Sequence, residues 1–82
     1  MPIEQLREKI DRVDSRIISL LEERVDLAKK IGEAKRKHGL PVADPNRELE
    51  VLIKVSERTT KLNKGFVKKL FEAIIEYCKE NE

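Results

Sequence analysis

An uninterrupted apolar stripe runs through the first half of the chain and constrains its fold more than any other feature. The apolar residues recur at alternating intervals of three and four, at Ile3, Leu6, Ile10, Val13, Ile17, Leu20, Leu27, Ile31 and Ala34. This heptad-like spacing is typical of one face of an α-helix, and no proline interrupts it. The sequence therefore predicts one long helix over about residues 2–38.

A helix of this length does not fit inside a compact domain of 82 residues. It would span roughly 50 Å at about 1.5 Å per residue, whereas a globule of this size has a radius of gyration of about 12 Å. Its projecting part needs a second chain to cover the apolar face. Disulfides and a His/Cys zinc site cannot replace that support, because Cys78 is the only cysteine and His38 the only histidine. We therefore expect self-association.

A turn and a second helix follow the long one. Gly39 suits the position just after a helix, and Pro41 prevents the helix from continuing. Asp44 is a good N-cap and Pro45 is favoured as the first helical residue. The second helix is therefore predicted to begin here and to end near residue 58, with inner residues Leu49, Leu52, Ile53 and Val55.

A third helix is predicted over about residues 64–79, with Asn63 as its cap. Its apolar residues again follow a helical period and predict an inner face of Phe66, Val67, Leu70, Phe71, Ile74, Ile75 and Cys78. The expected fold class is all-α, with one long, one short and one medium helix. At this length there is room for one domain, over residues 1–82.

The composition argues against several classes of partner. Charged residues make up 41% of the chain while the net charge is only +2, which indicates a mixed helical surface and not a basic nucleic-acid patch. With no Trp, one Tyr and two Phe, there is no aromatic platform on which bases could stack. No apolar run resembles a signal peptide or a membrane span, so we expect a cytoplasmic protein without membrane contact.

Two inward-facing cations are the main candidates for chemistry. Arg24 stands where the stripe predicts an apolar residue, and Lys35 follows eleven residues later on nearly the same helical face, with about 16 Å between the two Cα atoms. The two side chains could hold the ends of one small anion above Ala28 and Ile31. The sequence contains no Gly-rich phosphate loop, no Ser/His/Asp arrangement and no metal-ligand spacing, so neither a metal nor a cofactor is expected.

Several separated motifs together resemble one family. The segments LREKID (6–11), LLEER (20–24), KIGEAK (30–35), PVADPNRE (41–48) and LFEAIIE (70–76), with Asp14, are similar in order and spacing to the all-helical chorismate mutases of the AroQ class. The resemblance implies an intertwined homodimer whose long first helices pack on each other. It also implies the rearrangement of the dianion chorismate to prephenate in Phe and Tyr biosynthesis. That reaction is intramolecular and needs no nucleophile, general base or cofactor.

The resemblance assigns roles to four charged residues. Arg24 would hold one substrate carboxylate, and Arg7 from the other subunit would hold the second. Arginine suits both roles because its planar fork binds a carboxylate bidentately. Lys35 would contact the ether oxygen, where negative charge grows, and Glu48 would accept a hydrogen bond from the ring hydroxyl. The remaining substrate-binding positions are Asp44 and Arg47, which are polar, and Ile31 and Ile75, which form apolar walls.

Two positions near the end of the given sequence depart from the commonest family pattern. Cys78 stands where many members have Ser or a similar small polar residue, and a thiol is the weaker donor. Glu82 stands where many members have a Gln that donates to the ether oxygen, and some members have Glu. A carboxylate cannot donate, whereas a carboxylic acid can. We therefore hypothesise that Glu82 acts in its protonated form, which favours acidic conditions.

Each charged residue also has an ordinary interpretation. Arg7 could pair with Asp11 on the helix surface, and Arg24 could set the register between two packed helices. Lys35 could stabilise the C-terminal end of the helix by interacting with the helix dipole. Two other functions stay open: an isochorismate pyruvate-lyase, and a non-catalytic helical dimerisation module. The mutase-like order Asp44-Pro45-x-Arg47-Glu48 favours the mutase.

Overall fold

The computed structural model describes residues 2–82, which form three α-helices and no strand. They are α1 (Ile3–Lys37), α2 (Pro45–Arg58) and α3 (Lys64–Glu80). The predicted all-α class is confirmed, and the helix bounds fall within one residue of those expected. In this part of the chain, no helix combines the length and the apolarity that a bilayer crossing requires.

Local signals in the sequence account for the helix ends. Gly39 adopts the left-handed conformation (φ 68°), and the next residue donates its backbone N–H to the Lys35 carbonyl at 2.8 Å, which closes α1. The Asp44 side chain accepts the Arg47 backbone N–H at 3.1 Å at the start of α2. The Asn63 side chain accepts the backbone N–H three residues later at 2.9 Å at the start of α3. Each cap satisfies a polar group that the helix itself leaves unpaired.

The three helices pack at one end of an elongated molecule. The backbone of α3 contacts both α1 and α2, whereas those of α1 and α2 do not contact each other in residues 2–82. The chain measures 56 × 23 × 16 Å with a radius of gyration of 16.0 Å. Only the second half of α1 takes part in the packing, because residues 2–20 are all exposed. Among residues 2–82 the buried ones are Ala28, Gly32, Val67 and Cys78.

The apolar stripe of α1 is open to solvent in the single chain. Ile3 is 64% exposed, Ile10 58% and Leu20 65%. Apolar side chains stabilise a fold when they are removed from water, so the exposed stripe contributes little hydrophobic stabilisation to the isolated chain. That a second chain covers it stays a prediction.

Part of the predicted inner face of α2 and α3 is wrong for the single chain. Leu49, Ile53, Phe66 and Leu70 are exposed. Val51, which was not predicted, is half-buried. The other predicted inner residues are half-buried or buried, namely Leu52, Val55, Val67, Phe71, Ile74, Ile75 and Cys78. For α2 the reason is geometric: within residues 2–82 its backbone contacts only that of α3, so one chain covers a narrow face of it.

Candidate active site

A cavity of about 290 Å³ lies between the second half of α1, the start of α2 and the end of α3. It is lined by Arg24, Leu27, Ala28, Ile31, Lys35, Val42, Asp44, Arg47, Glu48, Val51, Ile75, Cys78, Lys79 and Glu82. Every site residue predicted from the sequence is in this lining except Arg7. The fold therefore brings together residues that lie up to 58 positions apart in the chain.

The wall contributed by α1 follows from helical spacing. Arg24, Ala28, Ile31 and Lys35 share one face of the helix, with the two cations at its ends and apolar side chains between them. Arg24 donates from Nη1 to the Cys78 sulfur at 2.9 Å, which ties it to α3. Lys35 donates from Nζ to the Val42 carbonyl at 2.8 Å, which ties it to the loop before α2. Both cations are half-buried and held by the protein before any ligand binds.

The start of α2 adds three polar residues to the cavity. Asp44 is both the helix cap and part of the lining. Arg47 forms an ion pair with Glu50 at 2.7 Å, whereas Glu48 turns towards α3. The pKa of Glu50 lies below its usual value, chiefly because Lys54 hydrogen-bonds to this carboxylate and attracts it, with Arg47 adding to the effect.

Lys79 is a cavity residue that the sequence reasoning missed. Its Nζ lies 3.3 Å from a Glu76 carboxylate oxygen and 3.4 Å from one of Glu48, so it links α3 to α2. Hydrogen bonds to Glu76 and then to Glu48, together with their charges, raise the pKa of Lys79. A signal was available: Lys79 comes four residues after Ile75, which places both on one face of α3.

The balance of charge in the cavity favours anions. Four cations line it, against three carboxylates, so the cavity carries one net positive charge when all seven are ionised. The apolar side chains of α1 and Ile75 give it a floor and a wall on which a carbon ring can rest. Such an arrangement can bind a small anionic molecule with a hydrophobic body.

Arg7 is the predicted site residue that lies elsewhere. It forms an exposed ion pair with Glu4 at 3.2 Å, and not the surface pair with Asp11 that spacing also allowed. It precedes Arg24 by seventeen residues, or about 25 Å along α1. Arg7 of the same chain therefore cannot contribute to this cavity.

The chain matches the family chorismate mutase type II over residues 6–82. It is 35% identical to the chorismate mutase of Methanocaldococcus jannaschii, an alignment that covers 92% of this chain and 78% of that protein. The chain belongs to the chorismate mutase type II family. It is also 41% identical to the bifunctional chorismate mutase/prephenate dehydratase of Aquifex aeolicus, over 95% of this chain but only 21% of that relative.

The likeness to the chorismate mutase family extends to the whole fold. Form II of the chorismate mutase from Thermus thermophilus superposes with a TM-score of 0.90 at 34% identity, covering 95% of this chain and 90% of that one. Against the bifunctional relatives, however, this chain spans about a fifth of the length. The family, the helical fold and the cavity are thus consistent with one another.

Proposed function

We propose that this chain is a chorismate mutase, an isomerase that rearranges chorismate to prephenate, and that residues 1–82 form its single catalytic domain. The observation that carries the proposal is the cavity between the three helices, where Arg24 and Lys35 stand at two ends of an apolar floor in a chain of this family. Chorismate is a dianion with a carbon ring, so it needs fixed cations and an apolar surface together. The alternative of a non-catalytic dimerisation module gives no reason for two tethered cations facing a cavity.

The reaction requires a site that selects a conformation and stabilises charge. Bonds break and form within one molecule, so the protein contributes by holding the substrate in its reactive conformer. Arg24 binds one carboxylate of the substrate. It has donors to spare, because a guanidinium carries five N–H groups and Cys78 takes only one.

Lys35 acts on the charge that develops during bond breaking. Its ammonium has three donors, so it can keep its hydrogen bond to the Val42 carbonyl and still donate to the ether oxygen. A donor already held in place stabilises the transition state without reorganising. Glu48 accepts a hydrogen bond from the ring hydroxyl, and Lys79 holds that carboxylate from the other side. Asp44 and Arg47 complete the polar wall.

The active form in this proposal is an intertwined homodimer with two sites. The exposed apolar stripe on α1 supports it, because the first helices of two chains would cover each other there. The second substrate carboxylate is bound by Arg7 of the other subunit, which explains why this residue lies away from the cavity of its own chain. With a partner's Arg7, the site would carry two net positive charges when all its groups are ionised, and three when Glu82 is protonated as this proposal requires, so it suits a dianionic substrate.

A direct assay tests the proposal. Purified protein is mixed with chorismate, and separately with isochorismate, while substrate loss and product identity are followed at acidic and neutral pH. Prephenate from chorismate supports the mutase. Pyruvate from isochorismate, without prephenate, would instead identify an isochorismate pyruvate-lyase. A folded protein that converts neither substrate would contradict both enzymatic functions.

Glu82→Gln is expected to change the pH profile of the reaction. A glutamine amide donates to the ether oxygen at any pH, whereas a carboxyl group donates only when protonated. We expect kcat at neutral pH to rise in the variant, and the preference for acidic conditions to disappear. Glu80→Gln, an exposed neighbour on α3, is the control. A wild-type rate that is flat from acidic to neutral pH, unaltered by Glu82→Gln, would exclude this role.

Lys79→Met is expected to weaken catalysis moderately. The variant keeps the apolar stem but removes one of the cavity's cations and the bridge to Glu48. We expect kcat/KM to fall by about tenfold, because Lys79 is partly exposed and water screens its charge. Lys54→Met breaks a comparable ion pair, with Glu50 at 3.0 Å, outside the cavity, and it should leave kcat/KM unchanged. Equal changes of kcat/KM in the two variants would show that Lys79 has no particular role in the site.

A further inference from the structure

Gly32 lies on α1 directly beside Glu82, which follows the last residue of α3 by two positions. The residue is buried, and a Cβ placed on it would lie 2.8 Å from the backbone oxygen of Glu82 and 2.9 Å from the Glu82 Cβ. These distances are shorter than van der Waals contact. The obstacle includes a backbone atom, which cannot swing aside like the end of a flexible side chain. Any larger residue at position 32 must therefore push the end of α3 away from α1.

Arg36 lies one helical turn after Gly32 and contacts the same residue, Glu82. Its Nη1 donates a hydrogen bond to the backbone oxygen of Glu82. Because it follows Gly32 by four residues, both lie on the same face of α1. Gly32 permits the close approach of Glu82 and Arg36 holds it there, and Glu82 is among the residues that line the cavity.

The use of glycine here is informative because it is unfavourable for the helix itself. Glycine in a helix interior is less stable than alanine, since it loses more backbone freedom on folding. Gly32 lies well inside α1, five residues before its end at Lys37. A tertiary contact must compensate for this loss of helix stability, and the structure shows such a contact between Gly32 and Glu82.

We infer that Gly32 and Arg36 are positioning residues that hold Glu82 against α1, so that its carboxyl group faces the substrate cavity. The effect on turnover rests on the proposed chorismate mutase function. The anchoring itself is a property of the folded chain without ligand, and it can be measured separately. Neither residue touches the substrate: both act through Glu82.

Two variants test the inference by kinetics and by amide hydrogen exchange. At the acidic pH that the proposed donor role of Glu82 favours, Gly32→Ala and Arg36→Gln are each expected to lower kcat by about tenfold to a hundredfold, because a misplaced catalytic group loses its alignment. KM should change less, since the carboxylate-binding arginines stay in place. Amide exchange at residues 78–82 should become faster. The thermal midpoint of Gly32→Ala should be unchanged or higher, which separates loss of positioning from loss of folding.

Matched variants sharpen the result. Arg36→Lys keeps a donor and should recover part of the lost rate. Glu33→Ala and Lys37→Gln alter exposed neighbours on α1 and should leave both rate and exchange unchanged. In a Glu82→Ala background, Gly32→Ala should cause no further loss, because the group that it positions is already gone.

The outcomes that overturn the inference differ from those that overturn the proposed function. A Gly32→Ala variant with wild-type kcat and wild-type amide exchange would contradict the anchoring. So would a Gly32→Ala substitution that lowers kcat as much in the Glu82→Ala background as it does in the wild type. If the wild-type chain does not convert chorismate, the proposed function fails, while the exchange measurements still decide whether Gly32 and Arg36 anchor the end of α3.

Discussion

Replacing Lys35 by Gln is expected to reduce kcat by about 10²–10³-fold, which is typical of the loss of one preorganised donor at a developing negative charge. The rearrangement has no covalent step that could compensate, so the fixed cation provides much of the acceleration. KM should rise less than kcat falls, because Lys35 acts mainly on charge that appears in the transition state. Steady-state kinetics with chorismate measure both quantities.

Arg24→Lys is the companion variant and separates charge from geometry. Lysine keeps the positive charge but loses the planar fork, so it can no longer bind a carboxylate bidentately and donate to Cys78 together. We expect kcat/KM to fall by about 10²-fold or more.

Controls distinguish a catalytic loss from a folding defect. Lys29→Gln removes an exposed cation from the same helix, outside the cavity lining, and should retain full activity. The helical circular dichroism and the thermal midpoint of the Lys35 and Arg24 variants should stay close to those of the wild type, since inward cations rarely add stability. Near-normal turnover in both variants would show that neither Arg24 nor Lys35 is a catalytic residue.

Mixing two inactive variants is expected to restore activity if Arg7 completes the site of the other subunit. Arg7→Ala and Arg24→Ala should each be inactive as homodimers. In a heterodimer, one site combines the intact Arg24 of one chain with the intact Arg7 of the other, and the second site lacks both. Random exchange of subunits in a twofold dimer makes half of the dimers mixed, so about a quarter of the wild-type activity should return.

The complementation also tests the oligomeric state. The variants are unfolded together, refolded and assayed, with each variant refolded alone as the control. Sedimentation or light scattering of the wild type should give the mass of two chains. A monomeric mass, or no recovery from the mixture although each variant alone forms a dimer, would contradict the shared site.

Local signals in the sequence were sufficient for the helices and for the wall of the candidate site that α1 forms. Gly39, Asp44 and Asn63 fix helix ends because each acts within one turn of its own position. The spacing of Arg24 and Lys35 placed both cations on one face of α1 for the same reason, since a helical period determines which residues are neighbours. The other site positions came from a resemblance of motifs, and the cavity gathers all of them except Arg7.

The contacts between helices were decided only by the tertiary structure. The sequence did not indicate that Lys79 reaches Glu48, that Arg24 donates to Cys78, or that Gly32 admits the backbone of Glu82. It also predicted more inward-facing apolar residues on α2 and α3 than the single chain covers. A helical period determines which residues share a face. Which faces meet, and how closely, depends on how side chains from distant parts of the chain pack together.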